Sequence, residues 1–315
     1  MSIPSARILR VGTRGSQLAR AQTALVIGAL QRANPGLQFE VQIISTHGDE
    51  SALAGESQFD GQGAFVRRIE SALQMGTIDL AVHSYKDMPS TDPDGLVIAA
   101  FPVREDPRDA LVARSAWTLA TLPRGAVLAT GSPRRRALVH ALRPDVEVRP
   151  IRGNVDTRVR QVIENEGYAA VLAVAGLRRL GRAEVIRETL DPAEFVPAVG
   201  QGILAVQARA SDAAILVLLS TIDDPETRCC AIAERGVAGA FGADCQTALG
   251  AYARQERGQL ILDAFVAPQN ANALVRAHRI GPPSEAANLG HEVGAALRRE
   301  ATAHSAPPSG LGLRP

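Results

Sequence analysis

LAVHSYKDMPS, residues 80–90, is the stretch whose reading decides the fold. Its first five residues are almost continuously apolar, as in a strand buried on both faces of a mainly parallel sheet. Lys86 and Asp87 stand just past the carboxyl end of that strand. Open α/β sheets bind their ligands at the carboxyl ends of strands, so the two charges sit where they have a use. Lys86 is also the single lysine of the chain, against 33 arginines. An arginine is a planar fork, whereas lysine is a compact charge on a flexible stem, so the choice at this position has chemical content.

On the amino-terminal side, Ile8–Val11 reads as a strand and Thr13-Arg14-Gly15 as a turn. A helix opens after Ser16, a good N-cap, with Leu18, Ala21, Leu25 and Ala29 on one face. Asn34-Pro35-Gly36 stops it. Phe39–Ile44 follows as a strand and Ala64–Met75 as a helix. On the other side, strands are predicted at Val127–Thr130, Glu147–Ile151 and Ala169–Val174. Helices start after Ser132, with Pro133 at the first helical position, and after Asn154. Gly200-Gln201-Gly202 then leads into the strand ILAVQAR. From about Pro225 the pattern changes: a helix comes first, then alternating stretches near Ala248–Ala253, Leu260–Val266 and Ala273–Ile280. These predict an antiparallel sheet, closed by a helix over Ser284–Glu300. The tail HSAPPSGLGLRP is expected to be disordered.

At 315 residues, 46% hydrophobic and 21% charged, the composition is that of a soluble globular chain of two or three domains. No apolar run approaches the ~20 residues of a membrane span. The amino terminus lacks the charged-then-apolar pattern of a signal peptide, so a cytoplasmic location is expected. Cys229, Cys230 and Cys245 match no disulfide framework and no metal-ligand spacing, so no metal is expected.

The net charge of +1 conceals an uneven distribution: residues 104–187 hold 16 Arg against nine Asp or Glu. Such an excess calls for an anionic partner. Nucleic acid is the weaker candidate, because only Trp117 and Tyr168 in that segment could stack on bases. Several arginines recur in the loops at strand ends: Arg14 with Ser16 in the first, then Arg134 and Arg135 with Ser132 at a helix start, Arg152 with Arg158, and Arg178 with Arg179. Guanidinium forks bind carboxylates in pairs of hydrogen bonds, so a ligand with several carboxylates would need several such loops.

GTRGSQLA, AVHSYKDMP, REDPRDA, TGSPRRR, RGNVDTR, LAVAGLRRLG and PAVGQG occur in this order along nearly the whole chain. Together with the Cys245 loop, they resemble the porphobilinogen deaminase (hydroxymethylbilane synthase) family. The resemblance implies two α/β domains like periplasmic solute-binding proteins, plus a smaller C-terminal α+β domain with an antiparallel sheet. Domain 1 would comprise residues 1–102 and 203–222, domain 2 residues 103–202 and domain 3 residues 223–303, with 304–315 as the tail. It implies a transferase of tetrapyrrole (haem-type) biosynthesis that joins four porphobilinogens head to tail with loss of ammonia. The chain would grow on a dipyrromethane cofactor attached through Cys245. By motif, Asp87 corresponds to the catalytic aspartate, with Lys86 beside it. Lys86, Asp87, Ser132, Arg134 and Arg135 correspond to cofactor-binding residues. Arg14, Ser16, Arg152, Arg158 and Arg179 correspond to residues holding substrate carboxylates. The implied partner is the small molecule porphobilinogen, with no nucleic acid and no membrane, and a monomer is expected.

Four positions depart from the family's usual pattern: Gln58 and Gln62 stand where lysines are frequent, Asp244 where glycine is common and Ala248 where proline is. A carboxylate beside Cys245 is expected to disfavour its thiolate. A polycarboxylate-binding protein and a pyrrole-binding paralogue without turnover remain open alternatives at this level.

Overall fold

The computed structural model describes residues 8–44, 62–89, 91, 93–244, 246–268 and 274–305. Two compact units are formed, one from residues 1–107, 174–183 and 200–228, the other from 108–173, 184–199 and 229–315.

In the first unit, β1 (Ile8–Thr13), β2 (Gln38–Ile43), β3 (Leu80–Ser84), β4 (Leu96–Ala100) and β10 (Leu204–Arg209) make one sheet in the order β2-β1-β3-β10-β4. β1 runs parallel to β2 and β3, while β10 is antiparallel to both of its neighbours. The stretch at residues 80–84 is therefore a central strand, parallel to one neighbour and antiparallel to the other. Its side chains alternate between two cores. Leu80 and Val82 meet Val26 and Leu30 of α1 (Gln17–Ala33) and Ile215 and Leu219 of α6 (Ala213–Ser220). Ala81 meets Ile69 and Leu73 of α2 (Gln62–Gln74) on the other face. Each fully buried Leu in such a layer stabilises the fold by about 1.5–3 kcal/mol.

α1 starts as the sequence predicts, with the Ser16 hydroxyl accepting from the Ala19 N–H at 3.2 Å. Its buried face differs from the predicted one. Gln22, Thr23, Val26 and Leu30 point inward, while Leu25 is 53% exposed. Two polar residues hide that face from a hydrophobicity count, and each is satisfied. Gln22 exchanges hydrogen bonds with the Ser84 hydroxyl, and Thr23 donates to the Ala19 carbonyl.

The second unit repeats the same spatial order of strand directions, with its antiparallel strand again in the fourth place. β5 (Asp109–Ala113), β6 (Val127–Ala129), β7 (Glu147–Arg149), β8 (Tyr168–Ala173) and β9 (Ile186–Thr189) line up as β7-β6-β8-β5-β9. β6 is parallel to β7 and β8, and β5 is antiparallel to β8 and β9. The helices α3 (Pro133–Leu142) and α4 (Val155–Glu164) begin where Ser132 and Asn154 predict. β4, β5 and β9 are strands that the sequence reading leaves unassigned. The shared order, with one antiparallel strand in each sheet, is the doubled α/β architecture expected of this chain.

The smaller C-terminal part comprises α7 (Pro225–Phe241), the antiparallel sheet β11-β12-β13 (Leu249–Glu256, Gln259–Val266, Val275–Gly281) and α8 (Ala286–Ser305). One sheet face supplies Ala251, Leu262 and Ala264 to a core with Val237, Val293 and Leu297 of the two helices. Cys230 is buried in that core, and the Cys229 thiol lies 3.4 Å from the Pro283 carbonyl. Among the described residues, no helix is long and apolar enough to cross a membrane.

Candidate active site

Past the end of β3 the chain makes a single 3₁₀ turn, Tyr85–Asp87, closed by the Met88 N–H donating to the Tyr85 carbonyl at 3.1 Å. With three residues per turn, Tyr85 and Met88 fall on the same side. Both are buried, which leaves Lys86 exposed and Asp87 half-buried on the outer side. Local geometry thus presents the two charged groups together at the carboxyl edge of the first sheet. Arg14 reaches the same unit from the loop after β1, and its charge acts on His83 of β3.

His83 is 7% exposed, and its imidazole is pushed down to about 4, first by burial and also by the Arg14 charge, against a contact with Gln207. The imidazole is neutral in the native protein near pH 7, whereas the unfolded chain takes up its proton near the ordinary value of 6.5. Between those values the unfolded state binds more protons, so the contribution to stability is full above 6.5 and is lost as the pH falls towards 4. The expected loss is on the order of 3 kcal/mol. Denaturant titrations across that range should show it in the wild type and not in His83→Gln. Equal acid sensitivity in both would remove His83 as its source.

Arg179, at the end of α5 (Val174–Arg179), donates from Nη2 to the Gly202 carbonyl at 2.6 Å. Burial pushes its guanidinium down to about 10, with the Glu105 charge opposing. Neighbouring Arg178 pairs with Glu105 at 3.0 Å and Asp106 at 3.3 Å.

In the second unit, Ser132 caps α3 by accepting from the Arg135 N–H at 3.4 Å. Arg134 and Arg135 turn inward rather than out to solvent, and both bind Asp109, whose side chain is wholly buried. Arg134 donates to Asp109 Oδ2 at 2.7 Å and to the Val196 carbonyl at 2.6 Å. Arg135 donates twice to Asp109 Oδ1, at 3.0 and 2.7 Å, and to the Val171 carbonyl at 2.8 Å. Burial works against the Arg134 charge, Asp109 opposes that effect, and the second guanidinium adds to it. Guanidinium groups keep their proton in proteins, so two positive charges meet on the Asp109 carboxylate here. Among the described residues, the buried Arg134 Nε has no hydrogen-bond partner. Arg152 is exposed ahead of α4, and Arg158 folds back to donate to the Gly153 carbonyl at 2.8 Å.

The family patterns and the relatives found by sequence agree on one family. Residues 9–217 match the pattern of "Porphobilinogen deaminase, dipyromethane cofactor binding domain", and residues 228–299 match that family's C-terminal domain. The chain belongs to the porphobilinogen deaminase family.

Among relatives so named, that of Syntrophobacter fumaroxidans is 41% identical, covering 92% of this chain and 94% of its own length. The Roseiflexus castenholzii relative is 46% identical over 90% and 93% respectively. A solved BenM effector-binding domain with benzoate has a TM-score of 0.40 at 15% identity, covering 69% of this chain and 90% of its own.

Cys245 and Gln58 lie outside the described residues. The flanking turn is described. The Thr247 hydroxyl donates to Asp244 Oδ1 at 2.6 Å, the Gln246 N–H donates to the same oxygen at 3.0 Å, and the Asp244 N–H donates to the Thr247 hydroxyl at 3.0 Å. These bonds, that from the Thr247 hydroxyl foremost, hold the Asp244 carboxyl below the usual carboxylate range. Asp244 therefore closes a turn of its own in place of the family's more usual glycine.

Sequence reasoning missed Asp109, although its motif REDPRDA was in view. A buried carboxylate is recognisable only by the guanidinium groups that meet it. It also missed Gly200 and Gly202 as individual positions. Gly200 has φ +71°, and a Cβ there would lie 2.7 Å from Tyr85 Cδ1 and 3.2 Å from the Lys86 nitrogen. Gly202, at φ +87°, packs against the Glu105 carbonyl so closely that a Cβ would overlap it.

Proposed function

We propose that this chain condenses four porphobilinogens head to tail into hydroxymethylbilane, releasing ammonia at each step, as a transferase of tetrapyrrole biosynthesis. The observation that carries the reading is the pair Arg134 and Arg135 sharing the single buried carboxylate of Asp109. Two guanidinium groups converge there, and among the described residues the buried Arg134 Nε makes no hydrogen bond, an environment that favours a carboxylate-rich ligand. The dipyrromethane cofactor, with its acetate and propionate groups, fits that charge. Arg134, Arg135, Ser132, Lys86 and Asp87 are the residues we assign to it, with the covalent link through Cys245. When bound, the cofactor supplies the pyrrole carbon to which the first substrate is joined.

The protein's own residues do the rest. Arg14, Ser16, Arg152, Arg158 and Arg179 orient substrate carboxylates through charge-assisted hydrogen bonds. Loss of ammonia from porphobilinogen leaves an electron-poor methylene-pyrrole, whose positive charge is shared with the ring nitrogen. The Asp87 carboxylate, fixed on its 3₁₀ turn, stabilises that charge without having to reorganise. The three-domain division, a monomer and a cytoplasmic location belong to the same reading.

Intact mass of the purified protein tests it before any kinetics. The wild type is expected to exceed its polypeptide mass by two linked pyrrole units, and Cys245→Ser to lack that excess. Wild-type protein that stays unmodified after incubation with porphobilinogen or preformed hydroxymethylbilane would refute the reading and favour a pyrrole-binding paralogue.

A further inference from the structure

Aromatic residues are only 3% of this chain, yet two of them meet directly beneath the Lys86-Asp87 turn. The Tyr85 ring stands edge-on to Phe101, with centroids 5.0 Å apart and planes at 75°. Phe101 is held in turn: the Arg228 guanidinium lies over its ring at 5.0 Å. Arg228 in turn is fixed by a two-pronged bond to Asp223, at 2.7 and 2.8 Å, and by a bond to the Ala99 carbonyl at 2.9 Å. Asp223 Oδ1 also accepts the Phe101 N–H at 2.8 Å, which closes the group. Tyr85 also rests on the bare backbone of Gly200, and the Tyr85 N–H donates to the Ile203 carbonyl at 3.0 Å. The loop at 200–202 is itself tied down. The Gln201 carbonyl accepts from Arg104 Nε at 2.9 Å, and the Gln201 side chain donates to the Pro107 carbonyl at 2.7 Å. Both are in the same compact unit as Tyr85.

We propose that Tyr85 is a positioning residue: held against both Phe101 and the Gly200 backbone, its ring sets the direction in which the adjoining turn presents Asp87. The inference rests on the reading of Asp87 as the carboxylate of the reaction. Tyr85 starts the 3₁₀ turn that Asp87 ends, so a shift of the ring moves the carboxylate through only two residues of backbone. A catalytic group displaced by about 1 Å can cost on the order of 100-fold in rate. Tyr85 itself need not touch substrate.

Three variants test this with kinetics and thermal unfolding side by side. Tyr85→Phe keeps the clamped ring and is expected to hold kcat within about twofold of wild type. Tyr85→Leu keeps apolar volume but gives up the ring's edge contact, and is expected to lower kcat at least about tenfold with KM nearly unchanged, the signature of an interaction made in the transition state. A residue that served only the core would lower the unfolding temperature and leave kcat of the folded protein alone. If Tyr85→Leu fails to fold, Phe101→Leu removes the ring's support while keeping Tyr85, and is read by the same split. Wild-type kcat in folded Tyr85→Leu, or in Phe101→Leu where that is the variant read, overturns the inference when Asp87→Ala is inactive. Full activity of Asp87→Ala instead overturns the reading beneath it.

Discussion

Asp87→Ala is expected to abolish turnover while leaving the fold intact. The side chain is half-buried on the outer side of the 3₁₀ turn, and the buried anchors of that turn are Tyr85 and Met88. Removing the carboxylate therefore opens no core cavity, and a change at such a position is worth within about 0.5 kcal/mol of stability. The chemistry loses far more. Taking away one preorganised group aimed at developing charge costs on the order of 100- to 1,000-fold. A full charge facing a cation in a partly desolvated site should cost no less. Asp87→Glu keeps the charge and moves it outward by one methylene, so a small residual rate is expected. The assay follows release of ammonia and hydroxymethylbilane from porphobilinogen, with circular dichroism to confirm the fold. Near-native turnover by the alanine variant would remove Asp87 from the mechanism.

Asp109→Ala is expected to be the most destabilising single change within the candidate site. The wild-type carboxylate is wholly buried and answers two guanidinium groups that are 3% and 7% exposed. Deleting it removes the carboxylate that both interior charges share. Breaking a buried pair from one side typically costs about 3–5 kcal/mol, because the surviving charge is left uncompensated. Here two charges survive. Asp109→Asn fills the same space and keeps acceptor capacity on one oxygen, so its loss should be large but smaller. Equilibrium denaturation in urea reads both variants. A loss below about 1 kcal/mol for Asp109→Ala would mean that solvent or an anion already shares the neutralisation.

Much of this protein was legible in the residues alone wherever the determining interaction is local. Ser16 and Ser132 cap their helices because the acceptor and the N–H it satisfies are three residues apart. The apolar run at 80–84 and the charges after it declare a buried strand and a site at its end, because strand burial and turn chemistry are written in consecutive residues. The motif order identified the family, and the alternation after residue 248 foretold the antiparallel sheet. What the tertiary structure alone decided depends on partners distant in sequence. β5 and β10 are short apolar strands whose antiparallel placement follows from the sheet into which each is inserted. The inward face of α1 includes Gln22 and Thr23 because Ser84, 62 residues beyond Gln22, is there to satisfy one of them. Arg134 and Arg135 resemble the other loop arginines in the sequence, yet they are buried because Asp109, 25 and 26 residues away, offsets the cost of taking them out of water. A guanidinium's role is set by the counter-charge that meets it, and that meeting exists only once the chain has folded.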